Sequence, residues 1–157
     1  MYRADWRTPQ RCIVVNEGLT TIVTQHGNFI RSICKELIQN AIEVLENQKD
    51  KLLRLLNIRI SERGIGYLIE VEDNAGGIDE GVLTKIFEPY YTTKTDRNDT
   101  GFGLYMSRML AILHLQGSLE AENTSGGACF RLYLQQLVDL ADQASDKYQA
   151  ARTIFHL

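Results

Sequence analysis

The chain has 157 residues, 44% of them hydrophobic and 24% charged, with a formal net charge of −3. That length supports one domain with its own core, and the charge excludes a global basic field that would draw nucleic acid or an anionic membrane. No apolar run approaches the ~18 residues of a spanning helix, and "MYRADWRTPQ" lacks a signal peptide's apolar segment, so a cytoplasmic location with no membrane contact is expected.

Residues 1–10 read as a lead-in. The β-rich runs 11–15 and 20–24 flank "NEGL" and are expected to pair. Gly27 and Asn28 open a helical pattern to about residue 48, with Ile30, Ile33, Leu37, Ala41, Val44 and Leu45 as its apolar stripe. Strands are expected at 55–61 and 66–73 around a turn at Arg63 and Gly64, then a short helix at 79–85. A polar stretch, 87–100, precedes a helix at 103–115 and two strands at 118–123 and 128–135 around "TSGG". This order predicts an α+β fold, a two-layer sandwich of helices on one face of a mixed, mostly antiparallel sheet over 11–136. The tail, 137–157, repeats apolar residues at helical spacing, as an amphipathic helix that packs on its own domain or meets another chain. Cys12, Cys34 and Cys129 stand singly in apolar runs and read as buried thiols, not as a disulfide or metal set.

The strand "YLIEVED" carries the first chemical signal. Alternation puts Tyr67, Ile69, Val71 and Asp73 on one face, and the apolar members mark that face as the inner one. An inward carboxylate is costly unless it is bonded. Asp73 could hold a donor such as adenine's exocyclic amine, with Gly76 and Gly77 letting a flat base approach the backbone. It could equally bind its own following amides as an Asx turn.

Other pieces are weaker alone. Glu36 and Asn40 lie four apart, neighbours beside the apolar stripe. They could hold Mg²⁺ and a reacting group, or be ordinary helix-surface residues. Gly101 and Gly103 stand just before a helix whose first amides would favour phosphates. Met106 replaces the third glycine of a dinucleotide fingerprint, and there is no P-loop and no protein-kinase motif. In "IFEPYYTTKTDRND", Phe87 and Tyr90 are expected to clamp the base of a lid to the core, while Thr92, Thr93 and Lys94 project as phosphate-seeking donors.

Together "ELIQNA", "VEDNAGGI", "IFEPYYTTK", "TGFGLYMS" and "SGGACFRLYL" resemble the motifs of the catalytic and ATP-binding domain of bacterial sensor histidine kinases. That domain belongs to a superfamily shared with gyrase and the heat-shock chaperone ATPases, and the resemblance spans about residues 10–135. It implies a Bergerat-type fold that binds ATP with Mg²⁺. Asn40 resembles the Mg²⁺-coordinating asparagine, Asp73 the adenine-reading aspartate and Gly77 the glycine beneath the base. Gly101 and Gly103 resemble the phosphate-binding glycines, and Lys94 a lid residue near the γ-phosphate. Ile78, Phe87, Thr93, Phe102 and Leu104 fall in the same motifs and are expected in the nucleotide site.

Two positions depart from the pattern. Glu36 stands where many relatives have Asn and resembles the general base of the ATPase branch; Glu43 stands where many have a basic residue. Both make the site more acidic and keep direct ATP hydrolysis open. Glu36 and Lys94 are the catalytic candidates. His26, His114 and His156 lack the setting of a phosphoacceptor and read as structural or solvated. The acceptor histidine is therefore expected on a dimerisation domain outside this chain, with a response regulator receiver domain downstream. Alternatives are a nucleotide-binding switch or ATPase module of the same superfamily, and an anti-sigma-type serine kinase.

Overall fold

A computed structural model describes residues 27–48, 53–92 and 100–135, together with the backbone of 11–16. The described elements run β1 (Arg11–Asn16), α1 (Gly27–Asn47), β2 (Arg54–Arg63), β3 (Gly66–Asp73), α2 (Glu80–Leu83), α3 (Gly103–Leu115), β4 (Ser118–Asn123) and β5 (Ala128–Gln135). The expected strand at 20–24 and the tail helix lie outside the described residues.

One sheet has the order β1-β2-β3-β5-β4, with β1 parallel to β2 and every other pair antiparallel. Arg11 sits opposite Arg54, so among the described residues β1 has β2 as its neighbour, while its expected pairing with 20–24 lies outside them. Parallel strands need a long crossover, and α1, between β1 and β2 in the chain, supplies it.

Register explains the core. Ile69 faces Ile60 on one side and Leu132 on the other, and Val71 faces Ile58 and Phe130. These rows share the inner face, where α1 and α3 lie against the sheet. From α1 come Ile30, Ile33, Leu37, Ala41 and Leu45, spaced three or four apart so that one stripe is buried. Val44, expected on that stripe, stays 41% exposed near the helix end. Each fully buried aliphatic side chain, such as Ile33 or Leu132, stabilises the fold by about 1.5–3 kcal/mol. A stack of Phe29 on His114, with centroids 4.2 Å apart, also joins the two helices. The architecture is the expected α+β two-layer sandwich.

On the opposite face Glu70 bridges Arg59 at 3.4 Å and Arg131 at 3.0 Å, and Arg131 also pairs with Glu122. Cys129 lies in this layer as a free thiol. Burial pushes it up to about 11, and nearby Glu70, Glu72 and Glu122 add to the rise against Arg131. Cys34, packed against the core from α1, is pushed up to about 12 by burial. Among the described residues no helix is long and apolar enough to cross a membrane.

Candidate functional site

Asp73 ends β3 on the inner face, as the alternation requires, and is 5% exposed. Its Oδ1 accepts from the amide of Ala75 at 2.8 Å and from that of Ala128 at 3.4 Å. The first bond is the Asx turn that the sequence left open; the second ties the carboxylate to β5. Backbone amides thus offset part of the cost of burying this charge. The chain at Gly127 passes so near the Asp73 carbonyl that a side chain there has no room.

The loop after Asp73 is held from three elements. Asn74 accepts from the Leu55 amide at 2.9 Å and donates to the Leu53 carbonyl at 3.1 Å. Gln48, just past α1, donates to the Ala75 carbonyl at 3.0 Å. Asn123, the last residue of β4, accepts from the Ile78 amide at 2.8 Å and donates to the Ile78 carbonyl at 2.7 Å. Between these ties Gly76 and Gly77 take φ of +99° and +88°, which other residues rarely adopt. A Cβ on Gly76 would meet nothing within 4 Å, so the backbone there offers an open surface. Sequence reasoning missed Gln48, Asn74 and Asn123. The available signal was a carboxamide residue at the ends of α1, β3 and β4.

A second glycine pair lies at the start of α3. Gly101 has φ +66°, and a Cβ on it would come within 2.6 Å of the Tyr90 carbonyl carbon. Gly103 is the first residue of α3, and its missing Cβ leaves space that the Glu36 carboxylate fills. Asn40 donates to Glu36 Oε1 at 3.1 Å, so the two α1 residues and Gly103 form one contact set. Phe102 caps α3 without a side-chain hydrogen bond. Leu104 packs on the core, as does Ile78. Glu43 accepts from Gln39 on its own helix at 3.1 Å.

The two aromatic residues of the expected lid base behave differently. Phe87 packs edge-on to Phe130, with centroids 6.4 Å apart, and Arg108 lies 4.9 Å over its ring. Tyr90 is not clamped to the core; it is 74% exposed and meets Phe102 edge-on at 4.3 Å. Tyr90 takes a φ of +65°, a left-handed conformation uncommon for a bulky residue. Thr93 and Lys94 lie outside the described residues. Among the described residues no group of three or more His, Cys, Asp or Glu could hold a metal ion. Mg²⁺ is often held by one or two protein ligands, with phosphates and water completing its shell. Asn40, a neutral carboxamide beside the Glu36 carboxylate, suits that role.

Residues 25–138 match the family described as histidine kinase-, DNA gyrase B-, and HSP90-like ATPase. The two-component sensor PprA of Pseudomonas aeruginosa is 36% identical over 110 residues, which cover 64% of this chain and 12% of that protein. The sensor protein ChvG of Rhizobium meliloti is 31% identical over 115 residues, 71% of this chain and 19% of that protein. The chain spans less than a fifth of the length of these relatives. Among solved structures, the catalytic domain of the histidine kinase ThkA superposes with a TM-score of 0.60 at 28% identity, covering 69% of this chain and 67% of that one. The ATP binding domain of PrrB from Mycobacterium tuberculosis shares the fold, with a TM-score of 0.59 at 24% identity over 80% of each chain.

Proposed function

We propose, since the chain belongs to the histidine kinase-, DNA gyrase B-, and HSP90-like ATPase family, that it is the ATP-binding catalytic domain of a two-component sensor histidine kinase. In this reading residues 11–136 make up that domain. The observation that carries the reading is a buried, inward Asp73 with the open backbone of Gly76 three residues on. In this reading Asp73 accepts from adenine's amine, and the base lies along Gly77 and Ile78. Gly101, Phe102, Gly103 and Leu104 carry the phosphates to the head of α3, where helix amides favour anions. Thr93 and Lys94, outside the described residues, are assigned to the γ-phosphate by their motif alone.

Asn40 would hold Mg²⁺, and the ion supplies charge neutralisation at the phosphate oxygens. The γ-phosphoryl passes in line to a neutral imidazole nitrogen of a histidine on a dimerisation domain: the N–P bond forms as the bond to ADP's oxygen breaks. An imidazole lone pair needs no deprotonation before attack, so this chain's task is positioning and charge stabilisation. Glu36 orients the imidazole or takes its remaining proton. A response regulator receiver domain then accepts the phosphoryl group, and the reaction takes place in the cytoplasm.

The test is incubation with labelled ATP and a histidine-bearing dimerisation domain. Acid-labile, base-stable label on the acceptor is expected. Label on serine, or release of free phosphate alone, would overturn the kinase reading in favour of the anti-sigma or ATPase branch.

A further inference from the structure

We infer that Asn123 is a positioning residue for nucleotide binding, setting the place of the Gly77–Ile78 backbone on which the base would lie. The inference rests on the nucleotide-binding reading above. Asn123 stands at the end of β4, 45 positions along the chain from Ile78, yet one carboxamide meets both backbone polar groups of that residue. Its oxygen takes the amide at 2.8 Å and its nitrogen gives to the carbonyl at 2.7 Å. This is the double exchange that a neighbouring strand would make, supplied by a side chain where the sheet has ended.

Gly77 is fitted to the same group. A Cβ there would lie 2.9 Å from Asn123 Oδ1 and 3.2 Å from its Cγ. The missing side chain thus leaves the room that the Asn123 carboxamide occupies, and the height of the loop depends on both. Strand alternation points Asn123 to the same side as Leu119 and Ala121, the side that α3 covers. The bonds are exposed to water, so they contribute little to global stability. What they determine is position. Only a carboxamide offers one donor and one acceptor in this geometry. An aspartate keeps the shape but turns an anionic oxygen on the Ile78 carbonyl, which pushes the backbone strip away.

The experiment compares Asn123→Asp and Asn123→Ala in the full chain by calorimetry with Mg²⁺-ADP and Mg²⁺-ATP. Unfolded molecules lower the stoichiometry, while the affinity reports on folded ones. Asn123→Asp is expected to weaken both nucleotides by the same factor, at least about tenfold, and to be the worse variant. A residue that merely fills space would give the opposite order, since aspartate conserves volume and alanine does not. If Asn123→Asp does not fold, Asn123→Gln replaces it: with both bonding groups retained, it must bind ADP more tightly than Asn123→Ala. Wild-type affinity in Asn123→Asp, or a milder effect than alanine, overturns this inference alone. A wild-type chain that binds neither nucleotide overturns the nucleotide reading and this inference with it.

Discussion

The two glycine pairs of the site are built in different ways. Around Gly76 and Gly77 the backbone is tied by carboxamides from three directions, and the space above Gly76 is open. Around Gly101 and Gly103 the described neighbours pack closely: the Tyr90 backbone crowds one glycine and the Glu36 carboxylate fills the gap at the other. The first pair leaves open space over Gly76 and sets Gly77 against the Asn123 carboxamide. The second is a close-packed joint between the base of the lid, α1 and α3. Open space lies above Gly76 while close packing surrounds Gly101 and Gly103, so the same kind of substitution should have different effects at each.

The largest contrast concerns the two polar residues behind these pairs. Asn40→Ala is expected to abolish phosphoryl transfer while the chain still folds, because a half-buried residue at the helix edge adds little packing; a collapsed circular-dichroism spectrum would contradict this. Asp73→Asn should weaken ATP and ADP alike, by at least an order of magnitude, since a mismatched buried polar group costs ~1–3 kcal/mol. Unchanged binding in a titration calorimeter would remove adenine from Asp73.

The glycines themselves give the next test. Gly101→Ala combines about 1–2 kcal/mol of left-handed strain with about 1–3 kcal/mol of overpacking against Tyr90. Gly76→Ala carries the strain alone, because its Cβ enters open space. Thermal unfolding should therefore show the larger drop for Gly101→Ala. Equal drops would mean that the Tyr90 contact yields without cost.

The smallest effect belongs to Cys34, two residues before Glu36 on α1. Its thiol holds a proton to about 12 against an ordinary 9.0. Below pH 9 folded and unfolded chains are both protonated there, so Cys34 adds no pH dependence. Above pH 9 only the unfolded chain releases the proton, and stability falls as pH rises towards 12. Urea midpoints at pH 8 and pH 10.5 should differ less in Cys34→Ala than in the wild type; an unchanged difference would mean that Cys34 is not packed as tightly as the structure places it.

Much of the site was legible because its signals are local. Alternation along β3 placed Asp73 inward from six residues of context, and the helical period of α1 gave its buried stripe apart from Val44. The five motifs pointed to the family whose model matches residues 25–138 before any contact was known. Tyr90 was misread because an aromatic residue beside Phe87 looks like a second anchor, and nothing local announces its exposure or its positive φ. Gln48, Asn74 and Asn123 were passed over for a related reason. A carboxamide at the end of an element is compatible with solvent, and its partner is chosen by folding.

The sequence by itself determined which residues face the core, where most elements begin and end, and which family chemistry the motifs imply. Those properties depend on periods of two and 3.6 residues and on short runs of glycine and polar residues, all within a few positions of one another. Tertiary structure alone decided that β1 lies parallel to β2, that Glu36 fills the space at Gly103, and that Asn123 grips Ile78. Each of these joins chain segments separated by dozens of residues, and such adjacency is set by how the sheet and helices pack as a whole.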